Sequence, residues 1–242
     1  MSDTTLRDAA APRPEPAAAG ARVGLDWLVA VAALAVAGTY VRAIYFTPPE
    51  ALQGEAQKIF YVHAPSAWVA FLAFGIVALA SVLYLWLKDP RLDLVAESSA
   101  EVGVVFTTVV LISGPLWGKP IWGTWWTWDA RLTLTLFLWF IHVGYLILRG
   151  AIEEPGMRAR YSAVLGILGA LLIPFIHLSV YLFRTLHPRP IVLKPSAPSL
   201  PGDMLETLLI AFLSFTLLYV ALLRVRYRLA AAEAALAAED RR

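Results

Sequence analysis

The sequence predicts an all-α membrane protein, a six-transmembrane-helix bundle with both termini cytoplasmic and a Trp-rich outer loop between helices 3 and 4. Three observations carry that prediction. Of 242 residues, 59% are hydrophobic and only 16% charged, with mean hydropathy +0.66, against about 25% charged in a soluble domain. The apolar residues gather in six runs, each close to the roughly 20 residues that cross a bilayer as a helix. Lys and Arg crowd into alternate loops, as orientation in a membrane requires. Together these exclude a soluble domain, a disordered chain and a DNA-binding module. They also exclude an outer-membrane barrel, whose strands alternate in polarity. A net charge of +2 supplies no field to steer a polyanion, so no nucleic acid is expected as partner. With no cysteine, the chain forms no disulfide, holds no iron–sulfur cluster and attaches no haem through Cys-x-x-Cys-His.

Residues 1–24 are rich in Ala, Pro and Arg and read as a disordered cytoplasmic tail. A secretory signal would place its apolar run nearer the start. The six-helix membrane domain then covers 25–223, with spans at 25–46, 64–87, 102–117, 132–148, 161–183 and 204–223. Glu97 and Glu101 make a polar approach to the third span. Gly114, Pro115 and Pro120 lie at its far end and predict that the helix stops there. Pro174 predicts a kink in the fifth. Residues 224–242, rich in Ala, Glu and Arg, form a cytoplasmic tail expected as a short helix. One set of loops and the termini holds 13 Lys and Arg, the other set 6. The positive-inside bias therefore puts both termini in the cytoplasm, with outer loops at 47–63, 118–131 and 184–203.

The second outer loop is unusual. Five tryptophans, Trp117, Trp122, Trp125, Trp126 and Trp128, fall within twelve residues, interleaved with Gly118, Lys119, Pro120 and Gly123. An interfacial aromatic belt explains one or two indoles per helix end, not this density. The pattern suits a flat, polarisable platform for a large planar ligand, with glycines admitting close approach. Asp129 directly precedes the fourth span and is expected as its N-cap. Arg131 sits in the first turn, where a cation opposes the helix dipole. It either serves an anionic ligand or snorkels to headgroups.

His63 lies at the outer mouth of the second span and His187 just outside the fifth. A level pair beside an indole platform is expected to ligate a metal. His177 lies ten residues before His187, about 15 Å deeper along a straight helix, as a supporting hydrogen-bonding group. His142 falls in mid-span and reads as structural. A planar apolar disc with two axial positions and two carboxylates describes haem. Lys58, Lys119, Arg131 and Arg184 lie on the face that would meet its propionates. Zinc fits less well, since it wants three or four close protein ligands.

The stretch WGTWWTWDARLT, from Trp122 to Thr133, resembles the tryptophan-rich WWD signature of haem-handling proteins in cytochrome c biogenesis. Length, the motif's place after the third span, and a histidine in the loop on each side resemble the CcmC family most closely. FYVHAPSAW at 60–68 and SGPLWGKP at 113–120 extend the likeness, which covers roughly 40–225. The resemblance implies that His63 and His187 are axial ligands of a non-covalent, b-type haem in transit. It implies that Trp117, Trp122, Trp126, Trp128 and Asp129 form the haem platform and the contact for the haem chaperone CcmE. It further implies CcmA, CcmB and CcmD as subunits of an ABC-type complex, a bacterial inner-membrane location with the Trp-rich loop periplasmic, and a role for a basic residue matched at Lys58.

The expected function is to bind haem at the periplasmic face and present it to CcmE, with little covalent chemistry by this chain. Two rivals remain. A membrane b-type electron carrier would pair histidines inside the bundle, and His142 and His177 are candidates. A solute permease subunit would need a polar path, against which the nearly uncharged spans argue.

Overall fold

The computed structural model describes residues 26–192 and 194–239; the tail expected at 1–24 lies outside them. Every regular element among the described residues is helical. In order these are α1 (Trp27–Tyr45), a 3-10 turn (Glu55–Ile59), α2 (Phe60–Leu87), α3 (Pro90–Trp122), α4 (Ala130–Ala151), α5 (Pro155–Ala170), α6 (Leu172–Leu182) and α7 (Gly202–Glu239). Six helical stretches are long and apolar enough to cross a membrane, α5 and α6 counting as one. The chain is a multi-pass membrane protein.

Carboxylate caps start four of these helices. Asp26 accepts from the Leu28 amide, Asp89 from Arg91, Asp129 from Leu132, and Glu154 from Gly156 and Met157. Pro90 and Pro155 follow their caps at the first helical position, where a missing N–H costs nothing. Between α2 and α3, Lys88 takes positive φ and its amide closes on the Tyr84 carbonyl.

Three helices differ from the sequence expectation. α3 does not stop near Pro115 or Pro120; both lie inside it, and it ends at Trp122. Proline is tolerated in spans because neighbouring groups satisfy the freed carbonyls. The stop is Gly123, whose φ of 74° only glycine adopts freely and whose amide bonds Lys119 O at 3.0 Å. Trp117 and Trp122 are therefore helical residues, and the loop proper is 123–129. The fifth span breaks at Leu171 into α5 and α6. Pro174 has no N–H for the Ala170 carbonyl, so the break falls just before the proline. The last span and the Ala/Glu/Arg segment form one unbroken helix, α7.

Lipid gives helices no hydrophobic reason to associate, so close fit and polar contacts hold them together. α2 and α3 meet through small residues such as Ala73, Ser99 and Ala100. A Cβ on Gly103 would come within 2.5 Å of the Phe74 ring. α1 packs on α7, tied by Thr39 to Ser214 and Thr47 to Thr207, each at 2.8 Å. At the end where α3 begins, Asp93, Glu97 and Glu101 recur every fourth residue. Arg149 of α4 meets the first two at 2.6 and 2.7 Å, and Arg226 of α7 meets Glu101. The opposite end, where α2 starts and α3 and α6 finish, carries the tryptophan-rich segment 117–128.

Candidate functional site

At the tryptophan end, four elements bring the histidines and indoles together. His63 comes from the first turn of α2, Trp117 and Trp122 from the last turns of α3, and Arg131 from the first turn of α4. His187 comes from the segment that follows α6. His63 lies against Trp117 and His187 near Trp122, both indoles in the last turns of α3, and Arg131 meets His187.

His63 is held by Ser113. Its Nδ1 lies 3.0 Å from Ser113 Oγ, and that hydroxyl donates to the Val109 carbonyl at 2.6 Å. With its proton so used, Ser113 accepts, and the His63 proton is assigned to Nδ1. The Nε2 lone pair is left for a metal. Trp117 meets the imidazole edge-on at 5.9 Å, with its indole N–H on Gln53 Oε1 at 3.0 Å. Gly114 gives the ring its room, since a Cβ there would sit 3.2 Å from His63 Cε1.

His187 is positioned by a relay from the N-terminus of α4. Asp129 Oδ1 caps the helix through the Leu132 amide at 3.0 Å, and its Oδ2 accepts from Thr185 Oγ1 at 2.7 Å. Thr185 Oγ1 in turn accepts from the His187 amide at 3.0 Å. The expected cap is thus also the anchor of the histidine segment. Trp122 lies 6.4 Å from the imidazole. Burial first, and the Arg131 guanidinium second, pull the His187 imidazole down to about 4, so it is neutral near pH 7.

Arg131 binds inside the protein. Its Nε and Nη2 donate to the Ile176 and His177 carbonyls of α6, each at 3.2 Å, and its Nη1 reaches His187 Nδ1 at 3.1 Å. It is aimed at α6 and the segment that follows it. The Pro188 carbonyl lies 3.0 Å from the same Nδ1. One nitrogen cannot both accept from Arg131 and donate to Pro188, so these partners select opposite tautomers.

The remaining expected site residues divide. Trp126 and Trp128 pack edge to face at 5.8 Å, and the Trp126 indole N–H is buried without a partner. Trp125 and Trp128 are exposed at 56% and 76%, an apolar surface turned outward. Lys119 caps Gly123 at 2.9 Å and lies over the Trp125 ring. Lys58 is engaged elsewhere, on the Ile44 carbonyl and on Glu55, each at 2.8 Å. His142 is fully buried, with Nδ1 on the Leu138 carbonyl and its ring stacked on Phe74 at 3.5 Å. Among the described residues no three of His, Asp and Glu converge on one point. Sequence reasoning missed Ser113 and Thr185. Thr185, two residues before His187, had a local signal in the Ser/Thr-turn spacing; Ser113 had none.

Fold and site define a class: polytopic membrane proteins that carry histidines and a tryptophan-rich segment at one end of a helical bundle. The family model of heme exporter protein C, CcmC, matches residues 8–242, and the chain belongs to that family. Heme exporter protein C of Bradyrhizobium diazoefficiens is 39% identical over 82% of this chain and 75% of its own length. The Haemophilus influenzae protein of the same name is 38% identical over 78% and 77%, and that of Rhodobacter capsulatus 33% over 84% and 85%. The chain's role is haem handling in cytochrome c biogenesis, as part of the Ccm system.

Proposed function

We propose that this protein binds haem at the periplasmic face of the bacterial inner membrane and presents it to the chaperone CcmE, beside CcmA, CcmB and CcmD subunits. What supports the reading is that His63, preset with Nε2 free, and a neutral His187 each stand beside an indole of the last turns of α3. Two neutral imidazoles suit the axial positions of haem iron. With both positions filled, the iron is closed to oxygen while in transit. Arg131, already among them, offers a guanidinium to a propionate. The exposed indoles of Trp125 and Trp128 offer the chaperone a rigid apolar contact. With no cysteine in the chain, haem is held without thioether bonds and can be passed on.

The test is the oxidised and reduced visible spectrum of the purified protein beside His63→Ala and His187→Ala. Loss of the six-coordinate spectrum in both variants, with stalled loading of CcmE, is expected. Wild-type spectra in both would defeat the assignment and return the electron-carrier reading through His142 and His177.

A further inference from the structure

A groove on the side of the bundle runs between α2 and α6, below the His63–His187 pair. It is lined by Trp68 and Phe71 of α2 and by Ile173, Pro174, His177 and Leu178 of α6, with a volume of about 510 Å³. That lies within the 300–1,000 Å³ typical of small-molecule sites. Its origin is the break at Leu171. α5 packs along α2, but after the break α6 turns onto α4 and leaves α2 open.

The wall is apolar except for one imidazole. His177 is exposed, among exposed apolar neighbours such as Phe175, Leu178 and Leu182. Its backbone carbonyl is held by Arg131, and its ring bonds to no described residue. A polar ring facing hydrocarbon without a partner is costly and marks function by default. An apolar trough with a single metal-ligating group suits a flat, apolar metal complex better than it suits an acyl chain, which has no use for the imidazole. Arg131 bonds both the His177 carbonyl and His187 Nδ1, so the residue that carries the groove's imidazole is one side chain away from the proposed haem site.

Resting on the haem-binding reading above, we propose that the α2/α6 groove is the lateral port by which haem passes from the lipid into the His63–His187 site, with His177 as its first iron ligand. The disc slides edge-on between the helices, is held briefly by His177, and moves to the level pair, where two imidazoles outcompete one.

The test is stopped-flow uptake of ferric haem from phosphatidylcholine vesicles by the full-length protein in phosphatidylcholine nanodiscs, followed at the Soret band. His177→Leu removes the ligand and Phe71→Trp narrows the trough. Each is expected to slow loading by about tenfold or more while the final spectrum stays that of wild type, which also shows that the variant folds. In the His63→Ala/His187→Ala double variant, a weak imidazole-ligated spectrum is expected that His177→Leu abolishes. Wild-type loading rates in both single variants, with a final spectrum still dependent on His63 and His187, would overturn the port and leave the haem site standing. A wild-type spectrum indifferent to His63 and His187, or no uptake at all, would overturn the haem site and the port with it. Loss of partner co-purification in Phe71→Trp at unchanged loading would assign the groove to a subunit helix instead.

Discussion

Arg131 Nη1 reaches His187 Nδ1 at 3.1 Å, the same nitrogen that the Pro188 carbonyl meets at 3.0 Å. A guanidinium can only donate, so where Arg131 holds Nδ1 that nitrogen accepts and the proton of the neutral ring sits on Nε2. In this arrangement His187 has no lone pair to give a metal, whereas His63, donating to Ser113, has one. The Pro188 carbonyl at 3.0 Å stands ready for the other tautomer. An anion that draws Arg131 away therefore prepares His187 to ligate.

The tautomer is directly measurable. In nitrogen-15 spectra of histidine-labelled, haem-free protein, His187 should carry its proton on Nε2 and His63 on Nδ1. Arg131→Ala should move the His187 proton to Nδ1, through the Pro188 carbonyl. An unchanged His187 signal would show that Arg131 does not set the tautomer.

Ser113→Ala should weaken haem binding without unfolding the bundle. The substitution leaves His63 Nδ1–H without its acceptor and its ring free to turn. Losses of this kind are typically about 10–100-fold in metal affinity. Haem titration followed at the Soret band reads it, and wild-type affinity would remove Ser113 from the site.

Asp129 and Thr185 separate capping from anchoring. Asp129→Ala loses the α4 cap, about 1 kcal/mol, together with the tie to Thr185. Thr185→Val loses only the tie. Thermal unfolding should fall for Asp129→Ala and stay near wild type for Thr185→Val, while axial ligation by His187 weakens in both. Full six-coordinate haem in Thr185→Val would mean that the relay does not hold His187.

Arg149 is 4% exposed, bonded to Asp93 and Glu97. Arg149→Met strands two carboxylates at the foot of α3, and breaking a buried pair from one side costs about 3–5 kcal/mol. A large drop in thermal stability in detergent is expected, partly rescued by Asp93→Asn in the same chain. Stability within error of wild type would show that water screens this cluster.

Much of the fold was legible because the bilayer simplifies the code: a long apolar run must be a helix. The Asp129 cap was equally legible, since capping is a local matter of one side chain and the next three amides. The helix ends were not. Pro115 and Pro120 read as stops, yet α3 continues to Gly123, because the groups that compensate a proline in a span come from other helices. The break at Leu171 was legible as a kink at Pro174. That it frees α6 from α2 and opens a groove depends on where each half packs.

The sequence by itself determined six apolar spans, a segment of five tryptophans in twelve residues, and two histidines bracketing it. Tertiary structure alone decided how those parts divide. Trp117 and Trp122 turn to the imidazoles, while Trp125 and Trp128 face outward. Lys58 goes to the end of α1 and Arg131 to His187. Ser113 and Thr185 lie 50 and 56 residues from His63 and Asp129, the side chains they bond. A span is specified by a continuous stretch of transfer free energy that a sequence displays directly. The partner of a single nitrogen is specified by the packing of helices distant in the chain, and no local pattern records it.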